Sequence, residues 1–368
     1  MDEVRDWVEL SLIPGVGPKT FFKLVHHFGG PRSALDASKA ALREVPDLTA
    51  SVIESIRTGC ASELAKAIDL TRKHGVAVLT FNSDSYPERL KNIHDPPPIL
   101  YVKGTLHASD VNAVSIVGTR RATHYGKMVA ERLAADLARL GLTVVSGLAH
   151  GIDAAAHKGS LAAGGRTLAV LGCGVDVVYP RANAKIYEQI ARSGALLSEF
   201  PMGCEPDPGF FPLRNRIVSG LSLGTLVVEA PNRSGALITA RHALEQGREV
   251  FAVPGNIYSP YSEGCHKLIK DGAKLVENVY DIISEIERNL EGVTCEEEKQ
   301  VEPDASANVP MSAEEKKVFN FLSMVPVHID DIGEGCNLSA SQTASILMQL
   351  ELKGLIRQLS GKHFIRRV

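Results

Sequence analysis

A chain of 368 residues, 44% apolar and 23% charged, carries enough core material for two or three domains. Its net charge of −3 excludes a globally basic nucleic-acid binder, so any affinity for a polyanion must come from a local patch. The six cysteines lie far apart with no Cys-x-x-Cys pair, which excludes a disulfide framework and a zinc ribbon, and the opening Met1-Asp-Glu-Val-Arg-Asp-Trp has neither a basic leader nor a long apolar run, which points to the cytoplasm and away from a membrane.

Residues 1–72 read as a helical module. Ile13-Pro14-Gly15-Val16-Gly17-Pro18-Lys19 between two helical patterns is the signature of a helix-hairpin-helix (SAM-like) unit, whose glycine amides can meet a phosphate while Lys19 adds charge. A second, weaker hairpin falls at Glu44-Val45-Pro46-Asp47-Leu48.

Residues 73–288 alternate β-branched apolar runs with helical periods. The runs are Val76–Phe81, Ile99–Lys103, Ala113–Val117, Thr143–Ser146, Thr167–Leu171, Ala195–Ser198, Thr225–Val228, Glu249–Val253 and Lys274–Val276. Strands separated by helices predict an α/β domain: an extended Rossmann-like, doubly wound parallel sheet covered on both faces. An open sheet of this kind places its ligand at the carboxyl ends of its strands. There Gly118, Thr119, Arg120 and Arg121 replace the second glycine of a dinucleotide fingerprint with arginines, filling the space where a backbone would close on a pyrophosphate. Ser146 and Gly147 form a second small turn, Arg181, Asn183 and Lys185 follow a Tyr-Pro turn, and Arg214, Asn215 and Arg216 add a third cationic cluster. Ser234 and Gly235, after the Thr225–Val228 run, complete the candidate set. Cations spread over several loops suit a strand of several phosphates better than one mononucleotide, and single-stranded DNA is the expected ligand. Two members have a structural alternative: Arg216 in a salt bridge with Glu229 or Glu199, and Asn183 as a helix cap.

Between Glu285 and Asp304 eight acids face two bases, so residues 289–310 are expected to form an acidic flexible linker. Residues 311–368 then read as a winged helix, with Ser312 and Glu315 in a capping box. Its end carries Lys353, Arg357, Lys362, Arg366 and Arg367 with no acid among them, a composition that suits duplex contact.

Six stretches stand in one order: the Gly118 turn, Ser146-Gly-Leu-Ala-His150-Gly-Ile-Asp153, Leu171-Gly-Cys-Gly-Val-Asp176-Val-Val-Tyr179-Pro180, Ser198-Glu199-Phe-Pro201, Phe211-Pro-Leu-Arg214-Asn215-Arg216, and Val228-Glu229-Ala-Pro-Asn-Arg-Ser234-Gly235. Together they resemble the DprA/Smf family of DNA-processing proteins. The resemblance implies sequence-independent binding of single-stranded DNA, protection of incoming DNA, loading of the RecA recombinase during natural transformation, a homodimer built on the sheet domain, and no catalysis or cofactor.

An enzyme of another class is the alternative. Glu229 with Ser234-Gly235 and Thr239 resembles the acidic residue and Gly-Thr turn of nucleoside-monophosphate phosphoribohydrolases, but Pro231-Asn232-Arg233-Ser234-Gly235 lacks that family's glycines. His150, Asp153 and His157 fall on one expected helix at ligand-like spacing, yet the two histidines are two turns apart and no further ligand joins them, so no metal site is expected.

Overall fold

The computed structural model describes residues 2–291, 311–323 and 326–366, and it divides into two compact units at Val293 and Thr294. The expected linker is outside the described residues from 292 onward.

The first unit opens with six helices: α1 (Asp2–Leu12), α2 (Pro18–Phe28), α3 (Pro31–Asp36), α4 (Lys39–Arg43), α5 (Ala50–Thr58) and α6 (Ala61–His74). Gly15, at φ +87°, turns the chain between α1 and α2, and Pro18 starts α2 where its missing N–H leaves no bond unmade. This is the hairpin expected from Gly15-Val16-Gly17. The second hairpin joins α4 to α5 through Asp47 at φ 60°. Trp7, Phe21 and Leu24 centre the helical core, and the same apolar cluster continues through Ile99 and Tyr101 to Leu171 and Met202. The helices therefore share their core with one face of the sheet.

The sheet is built from β1 (Ala77–Thr80), β2 (Ile99–Gly104), β3 (Ala113–Val117), β4 (Thr143–Ser146), β5 (Thr167–Val170), β6 (Ala195–Ser198), β7 (Gly224–Val227), β8 (Glu249–Ala252) and β9 (Lys274–Leu275). Each strand end lies within one residue of the apolar run read from the sequence. The order is β1-β2-β6-β5-β4-β3-β7-β8-β9. From β6 to β9 every pair is parallel, as expected; β2 runs antiparallel to β6, and β1 antiparallel to β2, so the complete sheet is mixed. The physical reason is the connection from β1 to β2, which holds only the one-turn helix α7 (Glu88–Lys91), too little for a parallel crossover.

Longer helices cover both faces: α8 (His124–Arg139), α9 (Ile152–Ala162), α10 (Ala184–Ser193), α11 (Phe210–Gly220), α12 (Gly235–Glu245), α13 (Glu263–Lys270) and α14 (Val279–Ile286). Along β3, Val114 and Ile116 enter one apolar cluster and Ala113 and Val117 the opposite one, so both strand faces are dry. The winding direction reverses between β3 and β7, which makes the gap beyond Val117 and Val227 the switch point of the sheet.

The second unit packs α15 (Ala313–Phe321), α16 (Ile329–Cys336) and α17 (Ala340–Leu352) on a small sheet of β10 (Val327–His328), β11 (Ile356–Leu359) and β12 (His363–Arg366). Val318, Ile332, Leu347 and Phe364 lie in its core. The Ser312–Glu315 capping box forms as expected.

Candidate nucleic-acid interface

At the switch point the chain has filled its own anion seat. The backbone N–H of Thr119 donates to the carbonyl of Glu229 at 2.7 Å, holding the β3 and β7 loops together. One carboxylate oxygen of Glu229 accepts from the backbone N–H of Thr123 at 2.9 Å, the other from the Thr123 hydroxyl at 2.5 Å. Thr123 in turn caps α8 by accepting from the N–H of Gly126 at 3.0 Å. A Rossmann domain normally offers this helix N-terminus to a ligand phosphate; here a buried side-chain carboxylate occupies it. Gly126 permits the approach, because an added Cβ would lie 2.3 Å from the Glu229 carboxylate.

Beyond that closed seat lies an open cationic edge. Arg120 and Arg121 are exposed, and the Arg120 guanidinium stands 4.8 Å from the centre of the Phe211 ring. Phe211 is 5.7 Å from the ring of Tyr179, which is 40% exposed and precedes the cis Pro180. With Gly147 and His150 these residues line a recess of about 20 Å³, room for one water and far too little for a nucleotide. Arg181 and Lys185, both exposed, follow Pro180 at the start of α10.

Several expected contact residues instead lie beneath this surface. Thr119 is buried, its N–H bonded to Glu229 and its hydroxyl accepting from the N–H of Arg121 at 3.2 Å. Ser146 is fully buried and donates to the carbonyl of Ile116 at 2.6 Å. Asn183 occupies the N-cap position of α10 but makes no capping bond; its amide donates to the carbonyls of Leu148 and Ala149 at 2.9 and 3.3 Å and clamps the loop after β4. Arg214 is buried under Gly147, where an added Cβ would fall 2.1 Å from its guanidinium, and it donates to the carbonyl of Val170. Burial lowers the Arg214 pKa against the pull of Asp153, and burial raises the Asp153 carboxyl against the pull of Arg214.

Arg216 is only 4% exposed, so the reading of it as an ion-paired residue holds, with Glu199 as the partner. The guanidinium makes a two-pronged pair with Glu199 at 2.6 and 2.7 Å, and its Nε lies 3.1 Å from Asp95. Burial opposes the charge, but Glu199 and Asp95 outweigh it and hold the Arg216 pKa above its ordinary value. Asn215 is half-buried and donates to the carbonyl of Gly235 at 3.3 Å, and Ser234 caps α12 by accepting from Ala236. Gly118 and Gly147 are partly exposed and Gly235 is exposed.

The expected metal-like spacing dissolves. His150 sits in the turn before α9 and is exposed, whereas His157 is buried inside that helix, bonded through Nδ1 to the Thr167 hydroxyl at 2.7 Å. The residues that sequence reasoning underused are Tyr179 and Phe211, an aromatic pair with Arg120 over the Phe211 ring; their signal was present in the Tyr179-Pro180 turn and in Phe211-Pro212 at the start of α11.

In the second unit α17 contains no Lys or Arg, and Met348 and Leu352 on it are exposed at 64% and 79%. Lys353 pairs with Glu315 at 2.6 Å and the Arg366 guanidinium lies 3.7 Å over the Phe319 ring. Arg357 and Lys362 stay exposed, and Arg367 is outside the described residues. No helix among the described residues is long and apolar enough to cross a membrane.

Fold and site together define a Rossmann-like protein that closes its nucleotide seat and presents an arginine-bearing, aromatic edge in its place. Residues 77–287 match the family described as DNA recombination-mediator protein A, and residues 302–362 match the DprA winged helix domain. The chain is 34% identical to protein Smf of Synechocystis over 98% of both chains, and 45% identical to the DNA processing protein DprA of Bacillus subtilis over 62% of this chain and 78% of the relative. The X-ray structure of DprA from Streptococcus pneumoniae superposes with a TM-score of 0.68 at 34% identity, covering 76% of this chain and 97% of that one. DprA from Helicobacter pylori, solved for its single-stranded DNA binding mode, gives a TM-score of 0.53 at 31% identity over 59% of this chain and 97% of its own. The chain belongs to the DprA/Smf family of DNA-processing proteins.

Proposed function

We propose that this protein binds single-stranded DNA without sequence preference along the carboxyl edge of its sheet, protects it, and presents it to the RecA recombinase during transformation and recombination, acting in the cytoplasm as a homodimer. The observation that carries the reading is the exposed Arg120 stacked on Phe211, with Tyr179 beside it and Arg121, Arg181 and Lys185 around it. Cations that follow a phosphate backbone, interleaved with rings on which any base can stack, make a sequence-tolerant platform for a single strand. The Helicobacter relative, described by its single-stranded DNA binding mode, supports the same ligand.

The buried members of the candidate set shape this edge. Asn183, Ser146 and Thr119 fix the loops, and Arg214 supports Gly147 from below. Both Glu229 oxygens are engaged by Thr123, which leaves the phosphoribohydrolase reading without a free acid. The lack of any Lys or Arg in α17 favours the first unit over the winged helix as the seat of the strand, with Arg357 and Lys362 left for a weaker duplex contact. The test is a titration of the purified protein against single-stranded and duplex DNA at two salt concentrations, followed by RecA nucleation on strands already coated with single-strand-binding protein. Preference for the single strand, a steep salt slope and faster nucleation are expected; equal or tighter duplex binding overturns the reading.

A further inference from the structure

A second cationic surface lies away from the sheet edge. Helix α2, the loop after α4 and the loop before β2 enclose an open groove of about 530 Å³, within the size range of nucleotide-sized ligand sites. One wall is a row of side chains on a single helix: Lys19, Lys23, His26 and His27, all exposed. Residues four apart on a helix advance by about 6 Å, comparable to the step between successive phosphates of an extended strand. His94 faces them from the opposite wall. The apolar part of the lining is Phe22 with Pro18, Val45, Pro46 and Pro96, and Phe22 is held edge-on against Phe81 at 4.9 Å.

The acids nearby do not cancel this row. Asp95, on the rim, is taken up by Arg216 at 3.1 Å. Asp47 pairs with Lys23 at 2.7 Å, but the two side chains are 46% and 84% exposed, so the bond is weak and yields readily to a phosphate. What remains is a line of donors beside apolar side chains in one groove: a phosphate contact and a stacking surface together.

We propose that this groove is a second binding site for a single nucleic-acid strand, with phosphates on Lys19 and Lys23 and a base against Phe22. The proposal rests on the reading of the protein as a single-strand binder, and adds to it a contact made by the helical segment. A strand spanning both sites gains avidity, because the second contact is intramolecular.

Calorimetric titration of the full chain with a thymidine hexamer tests it. Wild type should take up two hexamers per chain and Lys19→Glu/Lys23→Glu one, whereas Arg120→Ala should keep two, one of them bound more weakly than in wild type. With a strand of about 30 nucleotides the double variant should bind on the order of tenfold more weakly, with a salt slope smaller by ~1.4. Both lysines are exposed, so melting followed by circular dichroism should match wild type. A double variant that keeps wild-type stoichiometry and salt slope overturns the groove. An Arg120→Ala protein that binds both hexamers with wild-type affinity and salt slope overturns the sheet-edge reading instead. Tighter uptake by the groove of a hexamer duplex, or of thymidine monophosphate, overturns its assignment to a strand.

Discussion

Thr123 and Glu229 form a closed pair: the carboxylate accepts from both the N–H and the hydroxyl of Thr123, and that hydroxyl accepts from Gly126. Removing the carboxylate leaves two donors of a partly buried cap unmet, each costing about 1–3 kcal/mol. Glu229→Ala should therefore lower unfolding stability by about 2–4 kcal/mol, and Glu229→Gln by less because its amide oxygen still accepts. Denaturant titration of both variants checks this, with equal losses counting against it. Incubation of wild type with nucleoside monophosphates should release no free base.

Arg120 is exposed, and its guanidinium lies over the face of Phe211. Arg120→Ala should keep wild-type stability within about 0.5 kcal/mol. Its affinity for single-stranded DNA should fall for every sequence, with the salt slope reduced by ~0.7 for one lost phosphate contact. Unchanged isotherms at two salt concentrations would remove this loop from the interface.

Arg216 behaves oppositely. Buried against Glu199 and Asp95, it leaves two carboxylates facing an empty space when truncated, and Arg216→Ala should cost about 3–5 kcal/mol. Arg216→Lys should recover part of this. Per folded molecule, the lysine variant should bind DNA as wild type does; a selective binding defect at normal stability would return Arg216 to the contact surface.

His157 supplies a pH dependence. Burial pushes its pKa down to about 3, against about 6.5 in an unfolded chain. Between those values the unfolded state binds the extra proton, so stability is present above pH ~6.5 and is lost as the pH falls toward 3. The loss from this group at pH 5 should be about 2 kcal/mol. His157→Gln should flatten that part of the stability profile measured by urea unfolding, and an unchanged slope would assign it to other groups.

A chain ending after Glu291 keeps the whole first unit with Arg120, Arg121, Arg181 and Lys185. It should retain most of its affinity for single-stranded DNA and lose more of its affinity for duplex. Gel-shift titration separates the two, and loss of all single-strand binding would move the principal site to the winged helix.

Strand positions were legible in the sequence because buried parallel strands are unbroken apolar runs, and β3, β4 and β6 match theirs residue for residue. Strand direction was not: Val76–Phe81 and Ile99–Lys103 look like any other run, and the chain between their antiparallel strands holds only the one-turn helix α7 in place of a full crossover helix. The turns of the candidate site were equally legible. What each side chain does there was not, because Arg214 and Arg216 sit two residues apart on α11 and their carboxylate neighbours, Asp153 in the first turn of α9 and Glu199 in the loop after β6, are distant in the chain. One signal was available: Ile217-Val218 follows directly, and a helix apolar at that point buries its neighbours.

The occupied seat at the head of α8 also bears on how the protein sits within metabolism. Most sheets of this architecture are coupled at that position to the cell's pool of dinucleotides and nucleoside phosphates. A chain whose own carboxylate is already lodged there has no vacancy for such compounds to fill, and the residue that fills it cannot diffuse away. Strand capture on the neighbouring edge, as proposed, would then answer to the supply of DNA and the ionic strength around it rather than to the nucleotide pool.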